Sequence, residues 1–218
     1  MDDELLYDPS TLRDEIASAV THGLGALASV GAGAALITLA ALEADGWHLV
    51  GTSVFVGALV LVYTASTLYH AVPISRAKAW LRIFDHCAIY VLIAGTYTPF
   101  LLTGARERWG WMLFAVIWTL AALGVVFKLF YTGRFPLLST GIYLAMGWLG
   151  LVVARPLIEV LPAATLAWLI AGGVAYTAGT VFYHSRRIPY AHTVWHLFVL
   201  AGSVCHFLAV LHEVLRAG

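Results

Sequence analysis

The sequence predicts an all-α fold, an integral membrane bundle of seven transmembrane helices with the N-terminus cytoplasmic and the C-terminus outside. Three observations predict it. The 218-residue chain is 61% hydrophobic and only 11% charged, where a soluble domain is about 25% charged. Six runs free of Asp, Glu, Lys, Arg and His cover 23–42, 49–69, 87–105, 109–127, 135–154 and 160–183, each near the roughly 20 residues that a bilayer crossing needs. A seventh run, 193–211, is equally apolar apart from His196 and His206. The runs are continuous and do not alternate with period two, which excludes a β-barrel.

The same composition excludes a disordered chain, a nucleic-acid-binding domain and an ordinary soluble enzyme. Twelve Lys and Arg balance twelve Asp and Glu, so no net charge steers the chain to a polyanion. The expected partners are membrane lipids, with no nucleic acid among them. Cys87 and Cys205 both lie in apolar runs, which gives neither a disulfide framework nor a CxxC metal knuckle.

Taken in order, residues 1–17 read as a short acidic cytoplasmic tail and a lead-in, amphipathic through Leu12 and Ile16. A secretory signal would open on basic residues instead. Residues 18–218 read as a single transmembrane domain, because the connections leave no room for a soluble one. The first span carries Gly23, Gly25, Gly31 and Gly33, small residues that let helices pack closely. The third contains Pro99, which is expected to kink it. Pro136, Pro156, Pro162 and Pro189 fall near span ends, where proline is tolerated.

Seven spans place the N-terminus and the 2–3, 4–5 and 6–7 loops on one side. That side holds eight cations, Arg13, Arg76, Lys78, Arg82, Lys128, Arg134, Arg186 and Arg187, against four on the other, Arg106, Arg108, Arg155 and Arg216. The positive-inside rule then makes the first side cytoplasmic. The chain is expected to be a multi-pass protein of the plasma (inner) membrane.

Nine histidines are many for so apolar a chain. Folded through the spans, His22, His70, His86, His184, His192 and His196 fall at the cytoplasmic end, and only His48 and His212 at the opposite end. His206 lies ten residues beyond His196, roughly 15 Å deeper at the helical rise. His192 and His196 are at i and i+4, on one helical face. Helical zinc sites use that spacing, although Thr193 stands where the HExxH signature has Glu. His70, at matching depth on another helix, supplies a third candidate ligand. Asp85 opens the third span, where a carboxylate either caps the helix or needs a partner. Ser66 shares the face of His70, and its hydroxyl either bonds back to its own helix or serves the site.

Three histidines with an open fourth position are the composition of catalytic zinc. Such zinc polarises a carbonyl and acidifies water to a pKa of about 7. Asp85 would then act as general base. Ser66 would steady the water, the developing oxyanion or an imidazole. Between helices at the inner leaflet, the substrate would be a lipid headgroup or acyl linkage. His86, about 100° around the helix from Asp85, is expected not to share its inward role.

Four segments together, EIASAVTHGLG (15–25), STLYH (66–70), FDHCAIYVLIAGTYTPFLL (84–102) and HTVWHLFVLAGSVCHFLAV (192–210), resemble the hemolysin III family, the bacterial branch of the progestin and adipoQ receptor family. The resemblance covers nearly the whole chain. It implies seven helices with the N-terminus inside, and zinc held by His70, His192 and His196 with Ser66 and Asp85 near the metal. It departs from the family where Ser18 and Ala19 replace the usual Asn-Ser. The resemblance also implies ceramidase-like hydrolysis of a lipid amide, with a possible lipid substrate or acyl chain between the helices. The alternative it leaves open is a non-enzymatic regulator or sensor of membrane lipids and energetics with a structural zinc clamp. A pore is disfavoured, because six spans carry no ionisable residue in their cores.

Overall fold

The computed structural model describes residues 9–185 and 187–218. The first eight residues of the expected tail and Arg186, counted in the charge asymmetry, lie outside the described residues. Among the described residues the fold is entirely helical. Eight α-helices follow one another: α1 (Pro9–Glu43), α2 (Gly46–Ala71), α3 (Arg76–Leu102), α4 (Trp111–Tyr131), α5 (Pro136–Gly147), α6 (Ala154–Val160), α7 (Ala163–Tyr183) and α8 (Ala191–Ala217). A π-helical turn at Arg106–Gly110 precedes α4, and a 3-10 stretch at Leu149–Val153 joins α5 to α6.

Five of the helices, α1, α2, α4, α7 and α8, are long and apolar enough to cross a membrane. α3 has the length, at 27 residues, but Arg76, Lys78, Arg82, Asp85 and His86 crowd its first three turns. Asp45 and Ser75 cap α2 and α3 by accepting backbone N–H groups with their side-chain oxygens, which satisfies donors a helix start leaves open. Pro99 sits inside α3 without ending it.

The run at 135–154, expected as one continuous helix, is broken in the structure: α5 stops at Gly147 and the chain passes through the 3-10 stretch before α6. Apolarity says that a segment is buried or lipid-facing. It does not say that the helix is continuous, and Gly147 and Gly150 weaken it here. The backbone groups freed by the break are met from the neighbouring helices. The Tyr97 hydroxyl lies 3.1 Å and 2.7 Å from the Met146 and Gly147 carbonyl oxygens, and it accepts the Gly150 N–H at 2.9 Å. Trp148 Nε1 donates to Thr177 Oγ1 of α7 at 2.9 Å. Irregular backbone at membrane depth persists only where protein or a cavity satisfies it.

α1 packs on α2 and α8, α2 on α3, α3 on α4, and α7 on α8. The main core joins Phe55, Leu59, Val62 and Tyr63 of α2 to Leu36 of α1 and to Val199 and Val210 of α8. A second cluster joins Tyr90 and Leu101 of α3 to Leu113 and Ile117 of α4. Gly25 brings α1 in close, for a Cβ there would lie 2.8 Å from Leu200 and 2.9 Å from Tyr63. That approach delivers the α1 face carrying Glu15, Ser18 and His22 to the ends of α2 and α8. α5 touches α3 and α7 only sparsely. A cavity of about 810 Å³ lies between α2, α3, α5, α7 and α8, with Ser66, Asp85, His192, His196 and His206 among its lining residues.

Candidate metal centre

His70 closes α2, and His192 and His196 open α8. Helix packing brings the three together. The ring centroids are 4.9 Å apart for His70–His192, 4.9 Å for His70–His196 and 4.7 Å for His192–His196. One nitrogen from each lies within 4.8 Å of the other two, an arrangement that can hold a metal ion.

Their second nitrogens are held from α1. His70 Nδ1 donates to Glu15 Oε2 at 3.2 Å, and His196 Nδ1 donates to the Ser18 carbonyl at 3.3 Å. A carbonyl and an ionised carboxylate only accept, so both histidines donate from Nδ1, which leaves Nε2 as the nitrogen that can face a metal. Nε2 of His70 is buried without a protein partner. An imidazole fixed through one nitrogen with the other left vacant and buried is how proteins orient metal-ligating histidines. A donor set of three imidazoles suits zinc and other first-row ions. Glu15 is itself fixed by Lys78, whose Nζ lies 2.6 Å from Oε2 and also donates to the Tyr69 and Val72 carbonyls. This knot ties the end of α2 to the start of α3 and to α1.

The other two expected site residues are also here. Ser66 is buried, and its hydroxyl pairs with His22 Nδ1 at 2.7 Å. Of the roles weighed for this hydroxyl, steadying an imidazole is the one the geometry displays, and the imidazole is not one of the three ligands. Asp85 lines the same cavity, beside Ser66 and His70. It is not one of the groups drawn within 4.8 Å of one another. His86 also lines the cavity, which corrects the expectation that it turns away. Its Nδ1 donates to the Arg82 carbonyl of its own helix at 2.6 Å.

Sequence reasoning assigned no role to Glu15, Ser18 or His22. Their spacing of i, i+3 and i+7 marks one helical face and was the available signal. The Ser18 hydroxyl pairs with Thr193, and its carbonyl holds His196. The departure from the family's usual Asn at this position therefore leaves the hold on His196 intact, because the backbone makes it.

Chemically, the site is a nest of imidazoles with two carboxylates, Glu15 on His70 and Asp85 beside Ser66, next to a largely apolar cavity. All of these residues fall within a segment, residues 10–207, that matches the family model described as Haemolysin-III related. The chain belongs to that family. Its relatives include the Hemolysin-3 homolog of Bacillus subtilis (strain 168), 46% identical over 201 residues, 92% of this chain and 94% of that protein. Hemolysin-3 of Bacillus cereus is 44% identical over 204 residues, 94% and 93% of the two chains. The Monocyte to macrophage differentiation factor of Homo sapiens is 29% identical over 225 residues, 97% and 88% of the two chains. The resemblance to the haemolysin-III-related family read from the four sequence segments is thus borne out across the chain.

Proposed function

We propose that this haemolysin-III-related protein is a zinc-dependent hydrolase of a lipid amide or ester. In this reading it is a multi-pass protein of the plasma (inner) membrane. Its seven crossing segments are α1, α2, α3, α4, α5 with α6, α7 and α8, with the N-terminus cytoplasmic and the centre at the inner leaflet. The observation that carries the reading is the convergence of three imidazoles, two of them fixed through Nδ1, next to a largely apolar cavity of about 810 Å³.

His70, His192 and His196 would hold the metal. Zinc bound there supplies Lewis acidity to a carbonyl and acidifies water to a pKa of about 7. The chain's own residues do the rest. The apolar walls hold an acyl chain and exclude bulk water. The Asp85 carboxylate takes a proton from the water whose oxygen bonds to the carbonyl carbon. It then returns that proton to the departing nitrogen or oxygen as the C–N or C–O bond breaks, leaving a carboxylic acid and an amine or alcohol. Ser66, fixed by His22, keeps Asp85 aimed.

A structural clamp is the second reading. The ligands come from α2 and α8 and two of their orienting partners from α1, so an ion would tie three helices without any turnover. The deciding experiment incubates purified, metal-loaded protein with a panel of lipid amides and esters and reads products by mass spectrometry. Wild type should form products, and Asp85→Asn should lose about 10²–10⁴-fold at unchanged metal content. A metal-loaded wild type that cleaves nothing would leave only the clamp.

A further inference from the structure

The rim of the cavity beside the centre carries a cation that meets no carboxylate among the described residues. Arg82 lies on α3, one turn before Asp85 and His86, and lines the cavity with Thr140, Tyr183 and His184. Its arm is laid against the turn between α4 and α5. Gly133 takes a φ of +83° there, and a Cβ on it would come within 3.5 Å of the guanidinium. The groups around it are already engaged. Thr140 Oγ1 donates to the Pro136 carbonyl and faces His184 Nε2 at 3.0 Å. The Tyr183 hydroxyl faces His86 Nε2 at 3.4 Å. Asp85, the carboxylate on this wall, lies beside Ser66 and His70, with Oδ2 3.9 Å from His86 Nδ1. The Arg82 carbonyl accepts from His86. Among the described residues, however, its guanidinium has neither a hydrogen-bond acceptor nor an ion-pair partner.

A guanidinium offers five N–H donors in a planar fork that matches a phosphate, and it is the side chain best suited to one. Arg82 is exposed, but it stands at the mouth of the cavity beside the candidate metal centre and lines it, so a lipid entering the cavity would pass its headgroup by the guanidinium.

We propose that Arg82 binds the phosphate of an anionic lipid whose acyl chain fills the cavity, so that among lipid amides and esters this site prefers those that bear a phosphate. The proposal rests on the reading of the cavity as a lipid site, but not on turnover. Binding therefore tests it, while product formation tests the hydrolase.

The experiment measures thermal stabilisation of the full chain in neutral detergent by three probes: lysophosphatidic acid, a monoacylglycerol of the same chain, and inorganic phosphate. The expected result is stabilisation by lysophosphatidic acid at concentrations about tenfold below those of the monoacylglycerol, since hydrogen bonds to charged groups are the strong ones. Inorganic phosphate alone should have no comparable effect. Arg82→Gln should bring the two lipids within about twofold, and Arg82→Lys should keep part of the preference. Equal response to both lipids in wild type, or an undiminished preference in Arg82→Gln, would overturn the proposal. So would stabilisation by inorganic phosphate as large as that by the lipid, which would mark a free-anion site. Should Arg82→Gln fail to fold, the wild-type preference must still collapse in about 0.5 M salt, where an exposed charge is screened. A preference that survives would count against Arg82.

Discussion

His22 lies flat on His196, with ring centroids 3.5 Å apart and planes 8° apart. Its Nδ1 pairs with Ser66 and its Nε2 is buried without a partner. α1 therefore does more than anchor the bundle. It stacks on one candidate ligand, orients that ligand and another through Ser18 and Glu15, and positions the hydroxyl beside Asp85.

Replacing His22 by Phe keeps a ring against His196 but removes one of the two partners of the Ser66 hydroxyl. The expected outcome is unchanged metal content with stability lowered by about 1 kcal/mol, the typical worth of one hydrogen bond. Metal analysis and thermal unfolding in detergent check it together. Loss of the metal would mean that His22 belongs to the ligand set.

Glu15 and Ser18 hold their histidines by different means, and the difference is measurable. Glu15→Ala removes the side-chain acceptor of His70 Nδ1. Metal affinity should fall about 10–100-fold, as losses of such orienting partners do. Ser18→Ala leaves the carbonyl that holds His196, and the affinity should be unchanged. Competition with a graded chelator reads both. Equal affinities for Glu15→Ala and wild type would remove Glu15 from the site.

Much of this centre is legible in the sequence because its strongest signal is local. His192 and His196 share a face by spacing alone, and His70 joins them once the spans are counted. The α1 contribution is not legible in the same way. Glu15 meets His70 across 55 residues, and Ser18 meets His196 across 178. Both contacts depend on how closely α1 seats at Gly25. The break after Gly147 was missed for another reason. The run at 135–154 is uniformly apolar, and hydropathy reports the medium around a segment without reporting its backbone. What permits the break is a tyrosine on α3.

That tyrosine gives the next prediction. Tyr97→Phe removes the hydroxyl that serves Met146, Gly147 and Gly150. Backbone groups left unmet in an apolar setting should cost about 1–3 kcal/mol of stability, while metal affinity stays put, since Tyr97 is remote from the three ligands. Unfolding midpoints and chelator competition on the same preparation separate the two. An unaltered midpoint would show that the break is satisfied in some other way.

The proposed placement of the centre at the inner leaflet predicts a cytoplasmic N-terminus and an external Gly218. Reporter fusions at the two ends, read in intact cells, should report opposite sides. Protease access to the N-terminus from outside would move the centre to the outer leaflet and withdraw the inner-leaflet substrate with it.

The central claim is that His70, His192 and His196 form one metal site, and metal analysis of purified protein tests it most directly. Wild type should carry about one zinc per chain, and the double variant His192→Ala, His196→Ala should carry none while α8 still packs, as read by helical content. Zinc at wild-type stoichiometry in the double variant would contradict the account.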